Sequence, residues 1–249
     1  MGAPDVIGEE PRPAFYAARP GRWRDWWTLL HPPYTAWHLS YVVIGACLAP
    51  AVSTSRLVAS LLGFFLAVGV AAHAFDELRD RPLRTRIPGW ALVGACAAGL
   101  AGAVALGVVG VLRVGPPLVP FVVVGPLLVV AYNAELFGGA VHTDLGFALC
   151  WGAFPLLTAY VTQTATCSLA AVLAAGGATA LSLAQRRLST PARRLRRQVA
   201  DVHGVVTMRD GDEGAIDRRT LLDPLERALA ALTWSIVLLA AGLAVARLG

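Results

Sequence analysis

Charged residues are scarce in this chain and lysine is absent from it. Acidic and basic side chains make up 15% of the 249 residues, where a soluble globular protein carries about 25%. With 56% hydrophobic residues and a mean hydropathy of +0.61, that scarcity excludes an ordinary soluble domain and places the sequence in the membrane class. Cysteine is rare too. Cys47, Cys96, Cys150 and Cys167 lie in or beside apolar stretches without C-x-x-C spacing, which favours apolar packing over disulfides or metal thiolates. The first 33 residues lack the basic-then-apolar order of a signal peptide, so no cleaved targeting segment is expected. No central span carries an ionisable residue apart from His38, early in the first one and expected at the interface; this disfavours an ion transporter.

What the chain does hold is apolar runs near the ~20 residues that cross a bilayer as a helix. They predict spans at 35–54, 56–75, 90–112, 116–133, 145–163, 167–185 and 225–246, an all-α polytopic bundle of about seven transmembrane helices. The arginines test that count. With alternating spans, 18 of 21 fall on the side shared by the N-terminus and loops 76–89, 134–144 and 186–224, while Arg56, Arg113 and Arg247 fall opposite. Because basic residues gather on the cytoplasmic side, the N-terminus is expected there. The net charge of +5 is then explained by orientation and by attraction to anionic membrane lipids, with no nucleic acid partner.

The stretch AHAFDELRDRPLRTRIPGW, residues 72–90, concentrates charge where the second span ends. Helical spacing puts His73, Asp76 and Asp80 on one face, with Glu77 beside them. Two carboxylates four residues apart repel unless something positive lies between them. Mg²⁺ suits, since it is typically held by one or two carboxylates plus substrate phosphates. Arg79, Arg81, Arg84 and Arg86 would meet the phosphate oxygens. The alternative is a solvated loop whose charges pair among themselves and with headgroups. In AYNAELFGGAVHTDLGF, residues 131–147, Glu135, His142 and Asp144 have no local arginine. They either favour a bound cation or cap helix ends. Tyr132, Phe137, Phe147, Trp151, Phe154 and Tyr160 surround them, as an interfacial belt or as the walls of a carbocation pocket. DELRDRPLR from Asp76 aligns with QRRLSTPAR from Gln185, matching at Pro82 with Pro191 and Arg84 with Arg193, a hint of a duplicated unit.

HPPYTAWHLSYVVIGACLA before and within the first span, the acidic motif closing the second and the arginine–proline punctuation after it together resemble the UbiA superfamily of intramembrane prenyltransferases. On that family's Asn-Asp-x-x-Asp-x-x-x-Asp motif, Asp76 and Asp80 match the third and fourth polar positions, with Ala72 and His73 at the first two. Residues 131–160 fall where the family has its active-site loop and look like divergent bacterial members. The resemblance covers roughly residues 31–190. It implies an integral protein of a bacterial cell membrane whose cytoplasmic-face site binds an isoprenyl diphosphate with Mg²⁺ and passes the isoprenyl group to an aromatic or lipid acceptor. Asp76 and Asp80 would hold the metal, His73, Glu77, Glu135 and Asp144 would serve as further ligands or base, and Arg81, Arg84, Arg186 and Arg193 would bind phosphate.

Two departures matter. The family's second acidic motif reads Gln185-Arg-Arg-Leu-Ser189 here, and only one span follows residue 190, where the family has eight or nine in all. Either Arg186, Arg187 and Arg193 grip the diphosphate directly, or the chain is a non-catalytic scaffold or lipid-binding protein; a terpene cyclase is the other enzymatic reading. The resulting division is 1–33, an N-terminal cytoplasmic segment; 34–190, the UbiA-like bundle; 191–223, a basic then mixed loop; and 224–249, the last span. Within that loop the basic part is expected as a short surface helix. VVTMRDGDEGAID is expected as a hairpin turning at Asp-Gly. A helix is expected to start with Asp223 as its cap.

Overall fold

Eight helices and one hairpin carry residues 13–14 and 16–249, the residues described in the computed structural model. The expectation about a targeting segment falls mostly on residues 1–12 and 15, outside them. In chain order the helices are α1 (Arg22–Leu29), α2 (Pro32–Cys47), α3 (Thr54–Asp80), α4 (Gly89–Val114), α5 (Pro116–Asn133), α6 (Asp144–Thr164), α7 (Leu169–Arg197) and α8 (Arg218–Leu248). The last six are long and apolar enough to cross a membrane. They expose apolar side chains outward, among them Val108, Leu112, Leu127, Leu173, Trp234 and Leu239, the pattern of a bundle whose solvent is lipid. The protein is an all-α membrane bundle.

The first expected span is shorter than read. Instead of residues 35–54, α2 has 16 residues, starting at two prolines whose missing N–H groups cost nothing in a first turn and stopping at Cys47. Even so, α2 joins the two ends of the bundle. His31 precedes it at the arginine-rich end, whereas the Ala49 and Pro50 carbonyls that follow it accept from Arg247 at the far end. Arg56 caps the Thr162 and Gln163 carbonyls of α6 at that same far end.

Helix α2 is the central column. Trp37 and Tyr41 are buried with Leu156 of α6, Ala175 and Ala178 of α7 and Ile236 of α8. The Tyr41 hydroxyl accepts from Trp37 Nε1 (2.8 Å) and Ser182 Oγ (3.2 Å) and donates to the Ala178 carbonyl (3.2 Å), so its polar groups are satisfied inside the core. A Cβ on Gly45 would lie 2.1 Å from the Leu156 carbonyl oxygen; glycine is what lets α2 and α6 cross this closely.

Three loop expectations change. Pro191 does not stop its helix, because α7 runs on to Arg197 and absorbs the arginines expected in a separate surface helix. The proposed boundary at residue 190 therefore lies inside one helix, and the apparent duplicate of the Pro82 turn is no turn at all. The last helix starts at Arg218, not near Asp223, because Asp217 and Thr220 form a capping box. The hairpin is present: β1 (Gly204–Thr207) pairs antiparallel with β2 (Glu213–Ile216), with Gly211 at φ 92° in the connection.

Candidate functional site

Two helices carry a wide π-helical segment, α3 over Phe65–Ala72 and α6 over Leu149–Ala153. These segments face one another, with Val68 and Ala72 of the first packed among Cys150 and Trp151 of the second and Val129 and Tyr132 of α5. π turns are rare and frequent at functional sites. Here they present carbonyls to imidazoles: His38 Nδ1 donates to Trp151 O (2.9 Å) and His73 Nδ1 to Gly69 O (3.2 Å). His38 is thus buried within the bundle, a correction to its expected interfacial place.

On one side of this layer lies an apolar cavity of about 120 Å³ between α3, α4, α5 and α6, with Phe64, Phe121, Phe154 and Trp151 among its walls. About one helical turn beyond Val129 and Trp151 of that wall come Tyr132 on α5 and Phe147 on α6, and between one and two turns beyond Val68 come His73 and Asp76 on α3. The Tyr132 hydroxyl is buried without a hydrogen-bond partner and lies within electrostatic reach of Arg186, Arg193 and Asp76. Asp76 in turn feels the charges of Arg197 and Arg193. Helix α7 carries Ser182, Gln185 and Ser189, all buried on one face; Gln185 Oε1 also has no partner among the described residues. Phe147, Trp151 and Tyr132 gather around His38 and His142, while Phe137 is exposed and Tyr160 packs at the far end.

The remaining predicted residues separate. Glu77, 1% exposed, takes the amides of Leu83 (2.9 Å) and Thr85 (2.8 Å) and the Thr85 hydroxyl (2.8 Å), so its carboxylate folds the 81–88 loop. Arg81 holds the same loop through the Ile87 carbonyl (2.6 Å). Arg84 takes a left-handed conformation (φ 53°) on the outside of that loop. Asp80 points outward, its side chain 74% exposed and 3.9 Å from Arg79. Glu135 and Asp144 do have counter-charges, supplied by other helices: Arg79 meets Glu135 at 3.1 Å and Arg186 meets Asp144 at 3.0 Å. The acidic surplus read in the 131–147 loop is therefore balanced by tertiary contacts that a local charge count omits.

Of the residues named from sequence, His73, Asp76, Arg186 and Arg193 come together. Sequence reasoning missed Arg197, Tyr16, His31, Tyr34 and Gln185 as site residues. The four-residue spacing of Arg193 and Arg197 was a usable signal for one of them; nothing local marks Tyr16. Among the described residues no three His, Cys, Asp or Glu side chains form a metal-binding group. Among the described residues, Asp76 is the carboxylate near these arginines that forms no ion pair. Mg²⁺ tolerates such a donor set, one carboxylate with phosphate oxygens and waters, and would there neutralise charge on a diphosphate. No family model, curated protein or solved structure matches the chain.

Proposed function

We propose that this protein binds an isoprenyl diphosphate in the membrane and transfers its isoprenyl group to an acceptor, as the UbiA-like motif implies. One observation carries the reading: one to two turns beyond the apolar cavity, on the same helices, Asp76 and Tyr132 both lie within electrostatic reach of Arg193, and Tyr132 also of Arg186. An amphiphile with a long apolar tail and a charged head matches that sequence of environments. The C–O bond to the diphosphate would break with its electron pair going to the leaving oxygen. The allylic carbon would then bond to the acceptor, whose displaced proton needs a base; Asp76 is the nearest uncommitted carboxylate. Arginine charge on the departing diphosphate would be the main catalytic contribution, and the apolar walls would keep water from the cation. Asp76 and these arginines would lie on the cytoplasmic face, where the arginines concentrate.

A second reading, a membrane protein that binds such a lipid without reacting it, is favoured by the engagement of Glu77, Glu135 and Asp144 elsewhere. Diphosphate release from isoprenyl diphosphates of several lengths, with aromatic acceptors and Mg²⁺, separates the two. Release that is lost in Asp76→Asn and kept in Asp80→Asn supports the transferase. Binding without release from any donor supports the second reading.

A further inference from the structure

A second, smaller cavity of about 40 Å³ lies between the N-terminal segment and helices α7 and α8. It is lined by Tyr16, His31, Tyr34, Ser189, Arg193 and Arg197. A buried water needs roughly 10–15 Å³ on this scale, so the space holds about three waters, the size of one phosphate group.

Its lining is cationic and rich in donors. Arg193 and Arg197 stand four residues apart on one helical face, a spacing at which like charges repel. Among the described residues neither meets a carboxylate: Arg193 donates to Thr190 Oγ1 (3.2 Å) and Arg197 to the Pro13 carbonyl (3.2 Å), which leaves most of both guanidinium forks unengaged by them. The third arginine of the wall, Arg196, is already matched by Glu226 through both carboxylate oxygens. Asp76 feels the two arginines but forms no ion pair with them.

Imidazole chemistry points the same way. The Tyr16 hydroxyl and His31 Nδ1 lie 2.6 Å apart; with Tyr16 as donor, the imidazole proton sits on Nε2. That Nε2 is buried and has no partner. A buried unpaired donor beside two largely unengaged guanidinium forks is costly unless an anion satisfies them together.

We infer that this cavity is a metal-independent site for a phosphate-class anion, held by the forks of Arg193 and Arg197 with the Tyr34 hydroxyl and His31 Nε2. Arg193 lines this cavity and lies within electrostatic reach of Asp76, so the terminal phosphate of a diphosphate or the phosphate of an anionic lipid headgroup could occupy it. The inference concerns binding and stands or falls separately from isoprenyl transfer.

The test is a calorimetric titration of pyrophosphate into the purified protein in zwitterionic detergent with EDTA. Binding should persist in EDTA and change less than about threefold on adding Mg²⁺, because the donors are guanidinium, hydroxyl and imidazole groups. Arg197→Gln should weaken it roughly tenfold or more, and Tyr34→Phe about threefold. Arg197→Lys, which keeps the charge but not the fork, should fall between wild type and Arg197→Gln, and Arg194→Gln, exposed on α7 and outside the cavity lining, should leave binding unchanged. Repeating the titration in nanodiscs assigns the source: loss of pyrophosphate binding on adding phosphatidic acid identifies a headgroup occupant, and unchanged binding identifies a free diphosphate. Binding that requires Mg²⁺, or that survives Arg197→Gln undiminished, overturns the site.

Discussion

Two side chains show how far a residue's role depends on partners that lie beyond its own motif. Glu77 belongs by sequence to an acidic cluster, yet it is the buried acceptor for three donors of the 81–88 loop. Replacing it with alanine leaves those donors unpaired, at about 1–3 kcal/mol for each one that stays buried. Glu77→Ala should therefore lower the melting temperature by several degrees whether or not Mg²⁺ is present. A fall seen only with the metal would restore Glu77 as a ligand. His31 offers a pH test. Burial, then the charges of His73, Arg197 and Arg193, hold its folded pKa well below 6.5. Between the folded and unfolded values the unfolded chain binds a proton that the folded chain refuses. The stability contribution is thus complete above pH about 6.5 and shrinks as the pH falls below it. The melting temperature of wild type should drop between pH 7.5 and 5, and His31→Asn, which tolerates the left-handed backbone (φ 47°), should show a flatter profile.

At the scale of elements, the apolar runs made most of the helices legible, because length and hydrophobicity are local properties. Helix ends were less so. Asp217 caps α8 through Thr220, a signal that was present, but Pro224 drew the start six residues late. Pro191 similarly resembled a stop and is carried inside α7. The site was half legible: Asp76, Arg186 and Arg193 carry motif signals, whereas the pairings of Arg79 with Glu135 and Arg186 with Asp144 join separate helices and no local pattern announces them. Nor did anything mark the π turns, whose consequence is testable. Each residue of an α-helix turns the chain by about 100°, so the extra residue of the π turn in α3 sets which way His73 and Asp76 point. Deleting Val70 should let the segment relax to regular α-helix and rotate both side chains out of their present places. The variant should stay monodisperse with a melting temperature several degrees lower, because Glu77 rotates with them, and should lose the diphosphate release that depends on Asp76. A deletion variant with wild-type turnover would show that the wide turn does not aim the site.

For the whole molecule, polarity is divided between two ends. Among the described residues, one holds the acidic side chains and nearly all the arginines, with the small cavity and the hairpin; the other holds Arg56 and Arg247, each capping the carbonyls of neighbouring helices. Basic residues gather on the cytoplasmic side of short loops, so this division predicts an orientation, with the arginine-rich end in the cytoplasm. Cys167 reports on it without engineering. It is exposed in the turn between α6 and α7 at the arginine-poor end, whereas Cys47 and Cys150 are buried and Cys96 is partly covered within α4. A membrane-impermeant maleimide should label the wild-type protein in intact cells, and Cys167→Ser should abolish that labelling. In the Cys167→Ser background, Gly211→Cys at the hairpin tip should label only after permeabilisation, and its positive φ makes the tip the place to check by circular dichroism that the fold survives. If Gly211→Cys labels in intact cells instead, the arginine-rich end faces outward. A cytosolic isoprenyl diphosphate could not then reach Asp76 from the arginine-rich side, and the transferase reading would lose its donor.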